Sequence, residues 1–313
     1  MFIQFWGVRG SLPTPLNYDQ LISKISAIVQ RISPSDLVDA DSRERFIQKL
    51  PESLTSTVGG NTACVEMVNS NGTEFILDAG SGIRLLGKKL AKAQKKVFHI
   101  FLSHFHWDHI QGIPFFDPVY NPNVEIHFYY PGDKIKEYLS EQMKFPYFPV
   151  TLDACTKKMF FHDISETKTF TIDGTEVSWQ KMNHPGSSYA YSFIDKGRKF
   201  IYATDTELRQ EDLSASCPDV PFFRGADVLI LDAQYTVEEA FEKENWGHSS
   251  FNRTIDFSVA RDVKNLYLFH HDPTYSDRKI ESILSSARWY LDYIGKTSKM
   301  NVYIASEGKN IEI

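Results

Sequence analysis

Residues 103 to 109 read Ser-His-Phe-His-Trp-Asp-His, so four potential ligands, His104, His106, Asp108 and His109, fall within six residues. Imidazole nitrogen and carboxylate oxygen are the donor types that suit zinc, manganese or iron. The run follows the apolar stretch His99-Ile100-Phe101-Leu102 and precedes a turn at Ile110-Gln111-Gly112-Ile113-Pro114. A loop leaving a strand end can aim all four side chains at one point. A helix does this poorly, because residues i and i+2 point to different faces. The plainer alternative is a polar surface loop that happens to be rich in histidine.

The elements that must position this loop are legible as short β-rich runs at 2–6, 63–68, 74–78, 97–103 and 124–130. The second half continues with TFTI, TEVSWQKM, YAYSFI, KFIYATD, VLILDA and NLYLFH. Apolar spacings of three and four predict helices over 18–32, 82–93, 251–262 and 278–294. Long antiparallel runs with helices between them imply an α+β fold or a layered α/β sandwich. Between Arg9 and Val58 the chain reads as one clear helix, a break at Ser33-Pro34-Ser35 and a second short helix near 42–50. With no repeat, low-complexity tract or Gly/Ser linker, the expectation is one domain over 1–313, with 17–56 a helical insertion or cap within it.

Composition narrows the function classes. The 313 residues carry 34 basic and 40 acidic side chains, a net charge of −6, with 42% apolar and 14% aromatic content. A disordered chain is poorer in aromatics, and a chain of this length can bury a sizeable core. The apolar runs are too short to cross a bilayer and the N-terminus lacks a signal-peptide pattern, which places the chain in the cytoplasm and away from membranes. Cys64, Cys155 and Cys217 are odd in number and widely spaced, so neither a disulfide framework nor a zinc knuckle is expected. The acidic balance argues against a large nucleic-acid surface, which needs clustered Lys and Arg.

The His-x-His-x-Asp-His run resembles the metallo-β-lactamase superfamily, and the likeness extends along most of the chain. His184 follows TEVSWQKMN, Asp205 follows KFIYAT and His270 follows NLYLF, where members of that family carry a third histidine, a bridging aspartate and a last histidine. The resemblance implies an α/β fold, the four-layered αβ/βα sandwich, with the helical segment near the N-terminus added. It also implies two divalent metal ions, zinc or manganese with iron a further option. By this correspondence one metal takes His104, His106 and His184, the other takes Asp108, His109 and His270, and Asp205 bridges them.

Asp205 also separates this chain from β-lactamases, which generally lack that residue, but not from glyoxalase-like thioesterases. Trp246-Gly247-His248-Ser249-Ser250 and Leu231-Asp232-Ala233 are similar to motifs of transfer-RNA 3′-processing nucleases and related phosphodiesterases. There a histidine pairs with an acid, usually Glu; here the acid would be Asp232, one methylene shorter. The likeness implies that Asp108, Asp232 and His248 are catalytic, with His248 binding a phosphate oxygen or protonating the leaving alkoxide. The nucleases commonly insert a long basic arm between the positions matching His184 and Asp205, where this chain has room for none. FWGVRGS, GGNT, LDAGSGIR and HWDHIQGIPFF look like a bacterial branch related to the carbon-phosphorus-lyase cyclic phosphodiesterase.

The expected substrate is therefore a small phosphodiester or nucleotide, cyclic nucleotides included, cleaved by a hydroxide held between two metals. Related enzymes are often dimers, so a homodimer is the assembly to test. The competing functions are a thioester or other ester hydrolase, a nucleotide-sensing module without activity and, more remotely, an iron-centred oxidoreductase. Asp78 is expected to brace the histidine loop, with Gly80 and Gly82 permitting close turns. Arg9, Asn61 and Arg84 are candidates to reach substrate oxygens, and Phe115, Phe116 and the 145–150 stretch are candidates for either the pocket or the core.

Overall fold

The structure is a computed structural model that describes residues 1–214, 216–294 and 299–313. Strands β1 (Phe2–Gly7), β2 (Cys64–Val68), β3 (Glu74–Leu77), β4 (Val97–Phe101), β5 (Glu125–Tyr130) and β6 (Met159–Asp163) form in the first half. They are followed by β7 (Thr169–Ile172), β8 (Thr175–Met182), β9 (Ser188–Asp195) and β10 (Arg198–Ala203). The chain closes with β11 (Val228–Asp232), β12 (Asn265–Phe269), β13 (Asn301–Ile304) and β14 (Asn310–Glu312). Two seven-stranded sheets result, ordered β14-β1-β2-β3-β4-β5-β6 and β13-β12-β11-β10-β9-β8-β7.

Both sheets are mixed rather than antiparallel throughout. From β3 to β6 and from β10 to β13 the neighbouring strands run parallel, while β1-β2-β3 and β7-β8-β9-β10 are antiparallel. The apolar run of β11 fits this, since a parallel strand covered on both faces needs no polar alternation and every residue of Val228–Asp232 is buried. The sequence reading missed β13 and β14, which are short and carry polar residues at alternate or terminal positions.

Side chains on alternate strand positions build three apolar layers. Phe5, Phe75 and Phe101 of one sheet meet Phe193, Phe200 and Phe269 of the other, forming the core between the sheets. On the outer face of the second sheet, Ile201, Leu229 and Leu266 pack with Ile255, Ile280 and Ile283 from the helices Phe251–Val259 and Asp277–Ile294. Outside the first sheet, Ile76, Phe98 and Ile100 pack with Leu86 and Leu90 of the helix Ile83–Lys92. Helix, sheet, sheet and helix are thus the four layers. Phe116 belongs to this core, whereas Phe115, Phe145 and Tyr147 are exposed.

The segment between β1 and β2 is helical at Tyr18–Val29, Ala40–Lys49 and Glu52–Thr55, and none of these helices buries a residue. Asn17 starts the first with a reciprocal cap, accepting from the Gln20 amide at 2.9 Å while the Gln20 side chain accepts from its own at 3.1 Å. Lys24 ties that helix to the body through Asp277 at 2.6 Å and the carbonyls of Ser53 and Ser56, each at 2.7 Å. Among the described residues, no helix is long and apolar enough to cross a membrane.

Candidate active site

Parallel pairing sets the site, because it brings the C-terminal ends of successive strands to one edge. Asp78 follows β3, the histidine loop follows β4, Asp205 follows β10, Asp232 ends β11 and His270 follows β12. Asp78, Asp205 and His270 each turn the chain with a left-handed backbone, at φ 58°, 42° and 62°. Such conformations are uncommon for side chains of this size and persist where surrounding contacts hold them.

Three overlapping donor groups form there among the described residues, one of them Asp205, Asp232, His248 and His270, and the other two matching the ligand sets expected from the sequence. His104, His106, His184 and Asp205 have ligand atoms within 4.8 Å of one another, and so do Asp108, His109 and His270. Asp205 faces both: Oδ2 lies 3.6 Å from His104 Nε2 and 3.8 Å from His184 Nε2, while Oδ1 lies 3.2 Å from Nε2 of both His109 and His270. Asp108 Oδ2 stands 3.2 Å from His109 Nε2 and 3.1 Å from His270 Nε2, and also accepts the Ser11 amide at 2.8 Å.

The far nitrogens settle which ring atom is free. His109 Nδ1 bonds Asp78 at 2.8 Å, His270 Nδ1 bonds the Gln234 carbonyl oxygen at 3.0 Å and His184 Nδ1 bonds the Gly247 carbonyl at 2.9 Å. The Ser103 hydroxyl donates to Asp78 at 2.7 Å, so it accepts from His104 Nδ1 at 3.0 Å. Each acceptor requires a proton on Nδ1 and leaves the Nε2 lone pair directed inward. His104 Nε2 is buried with no hydrogen-bond partner. His109 and His270 bring their Nε2 atoms within 3.3 Å. Converging lone pairs and two carboxylates repel unless cations lie among them, and outer bonds of this kind are what orient histidine ligands. The donor set therefore fits divalent metal ions.

The carboxylates call for positive charge among them: burial opposes the charged form of His109, but Asp108, Asp205 and Asp78 outweigh it and raise that imidazole well above its ordinary range. Burial pushes the His104 imidazole well below its ordinary range, with His109 adding to the effect and Asp205 opposing it. Burial alone would raise the Asp108 carboxyl, but His109 and His270 outweigh it and hold it well below the usual carboxylate range. Asp205 is held low in the same way, chiefly by His109 and His270 against its burial. Carboxylates kept ionised in the interior are the form that binds a cation.

Next to the second group, His248 Nδ1 meets Asp232 Oδ2 at 2.7 Å, and the His248 ring stacks on His270 with centroids 4.9 Å apart. Asp232 is fully buried and its other oxygen accepts the Ser249 amide at 2.9 Å. Burial opposes the charged form of His248, yet Asp232 outweighs it and raises the imidazole above its ordinary value. The shorter acid thus still reaches its histidine.

Other candidates stand elsewhere. Arg9 is buried and spends its guanidinium on the carbonyls of Gly59, Asp272 and Tyr275. Asn61 is held by Glu307 and Ser81, and Arg84 is exposed on its helix. Asp78 braces the loop through four donors: Ser103 amide and hydroxyl, His109 Nδ1 and the Tyr202 hydroxyl. Sequence reasoning missed Gly10, Ser11, Gln234 and the main chain of Gly247. A Cβ on Gly10 would lie 2.6 Å from the His270 ring, and one on Gly247 would lie 2.1 Å from His184 Nδ1. Their signal was a lone glycine or amide beside a motif, which residue type does not mark as functional.

The model of the beta-lactamase superfamily domain matches residues 73–271, a span that holds every ligand candidate from His104 to His270. The chain belongs to that superfamily. Ribonuclease Z of Picrophilus torridus is 24% identical over 258 residues, covering 64% of this chain and 77% of its own. Ribonuclease Z of Treponema denticola is 21% identical over 77% of this chain and 92% of its own. Among solved structures, the short form of human tRNase Z superposes with a TM-score of 0.59 at 19% identity, covering 100% of this chain and 99% of its own. The metallo-β-lactamase sandwich expected from the histidine motif is therefore the fold. The expectation of no large nucleic-acid surface is corrected by the ribonuclease Z relatives, which this chain matches over 77% and 92% of their own length. A net charge of −6 sums the whole surface. It carries no information on where basic side chains lie, so it was no ground for excluding such a partner.

Proposed function

We propose that this chain is a metal-dependent phosphodiesterase of the superfamily. His104, His106 and His184 would hold one divalent cation and Asp108, His109 and His270 a second, with Asp205 shared; seven N/O ligands without a thiolate suit zinc or manganese, and iron as well. Such cations supply Lewis-acid polarisation of the phosphoryl group and a nucleophile from water at neutral pH. The rest falls to the chain. Ser103, Asp78, Gln234 and the Gly247 carbonyl orient the histidines through their Nδ1 atoms, while Asp232 keeps the His248 ring in place and favours its protonated form. His248 then delivers the proton on Nε2 to the leaving oxygen.

The observation that carries this reading is the 2.7 Å His248–Asp232 pair stacked against His270. Metal-assisted attack on a thioester needs no such acid, because a thiolate leaves readily, whereas an alkoxide leaves only when protonated. For the substrate, the interval between His184 and Asp205 is filled by the β9–β10 hairpin, turning at Lys196-Gly197. That compact rim favours a small nucleotide ester, cyclic or linear, as the first substrate to try, with RNA 3′ ends beside it because the relatives are ribonucleases. The segment 17–56 is read as a cap on the same domain, supported by the Lys24 anchor.

His248→Ala tests the acid. On alkyl phosphodiesters, turnover should fall roughly 10²- to 10⁴-fold, with bound metal unchanged and a smaller loss on p-nitrophenyl esters, whose leaving group needs little protonation. Unchanged turnover of the alkyl esters removes the assignment.

A further inference from the structure

A cavity of about 630 Å³ begins at His248 and is lined by none of the metal-ligand candidates. It lies between the helix Val237–Glu242 and the start of the helix Phe251–Val259, with Glu207–Glu211 on its other side. His248 belongs to both this cavity and the site, as does Ser249, whose amide holds Asp232. We infer that the cavity is a nucleoside subsite, taking the uncharged base and sugar that carry the leaving oxygen. This rests on the reading of His248 as the acid: the proton is delivered from the His248 ring, so the group that departs lies on the His248 side, across from the metal ligands.

The lining decides the chemistry of that group. Glu207, Glu211, Glu244 and Asp256 oppose Arg209 and Arg253, a balance of two positive against four negative charges. Such a wall disfavours a further phosphate and accepts a neutral ligand. Phe241 lines the cavity while remaining 76% exposed, an apolar face free for a base to stack on. Asn252 and Arg253 line the cavity, and their Oδ1 and Nη1 atoms are buried without any hydrogen-bond partner. One is an acceptor and the other a donor, and both are already sealed from water. A small turn of either side chain toward the edge of a base gains a hydrogen bond without stripping a hydration shell. A cavity of this size lies within the usual range for small-molecule sites.

The test is calorimetric titration of the metal-loaded full chain with adenosine, guanosine, cytidine and uridine, and with the corresponding nucleoside 3′,5′-bisphosphates. At least one nucleoside should bind, and its Kd should rise roughly tenfold or more in Phe241→Ala and in the double variant Asn252→Ala with Arg253→Ala. Phe241 is largely exposed and Asn252 Oδ1 has no partner to lose, so both variants should fold, which thermal melting checks. Adding phosphates to the nucleoside should not tighten binding at Arg209, seen as an unchanged ratio of bisphosphate to nucleoside affinity in Arg209→Ala. Absence of nucleoside binding to the wild type at millimolar concentration overturns the inference, as does an affinity equal in all variants. Nucleoside binding that the variants weaken supports the subsite even if no phosphodiester is cleaved, an outcome that removes the hydrolase reading alone.

Discussion

The two donor groups each take two residues from one loop and share Asp205, yet they are built differently. His104, His106 and His184 offer three imidazoles and no carboxylate of their own, with His106 exposed. Asp108, His109 and His270 are all buried and bring a carboxylate. Outer bonds differ too: Asp78, Gln234 and the Ser11 amide brace the second group, while the first relies on Ser103 and the Gly247 carbonyl. A buried, anionic, braced group should hold its cation more tightly, and the open one should exchange cations and admit substrate. The loop thus gives two imidazoles to one group and a carboxylate with an imidazole to the other, and the ends of β8, β10 and β12 complete both.

The most severe way to break this comparison is to remove what the groups share. Asp205→Ala should empty both and lower phosphodiester turnover roughly a thousand-fold, since each cation is worth several kcal/mol of charge stabilisation. Metal analysis should find less than one ion per chain; two retained ions would show that Asp205 is not shared.

The groups can next be separated through their glycines. Gly247→Ala places a Cβ 2.1 Å from His184 Nδ1 at a residue with φ +89°, so it should cost the first cation and spare the second. Gly10→Ala sets a Cβ 2.6 Å from the His270 ring and should do the reverse. Loss of roughly 10- to 100-fold in affinity at one group, read by titration with a chromophoric chelator, is the expected pattern. Equal losses at both groups would mean that they behave as a single unit.

The smallest effect lies away from the site, where His99 stacks on His127 across β4 and β5 and His127 meets His162 at 2.9 Å. Burial lowers the His99 pKa to about 4, with the neighbouring histidines adding to it. Above the unfolded value near 6.5 both states are neutral and stability is independent of this group. As pH falls from there to about 4 the unfolded chain takes up a proton that the fold refuses, and stability declines. Chemical denaturation of His99→Phe across that window should show a shallower decline than the wild type.

The histidine loop was legible because its donors are contiguous and sit after an apolar strand. His184, Asp205 and His270 are scattered over the chain, and only the family pattern drew them together. Asp78 was legible from its place after β3. Arg9 misled, since a buried guanidinium satisfying carbonyls and one facing substrate look alike in a sequence. Gly10 and Ser11 lie inside the FWGVRGS run, yet their roles went unread for a different reason: they act through a missing Cβ and a main-chain amide, which no side-chain pattern records. The strands were read well where apolar residues cluster, but the parallel pairing that gathers the site depends on long-range register, and short edge strands such as β14 gave no signal.

The central claim is tested most directly by counting metal in the purified chain and assaying the same sample on bis(p-nitrophenyl) phosphate, cyclic and linear nucleotide diesters, an RNA with a 3′ extension and a thioester. The account predicts two divalent ions per chain and turnover of at least one phosphodiester, with none of the thioester. Two bound ions with no phosphodiester cleaved would contradict it.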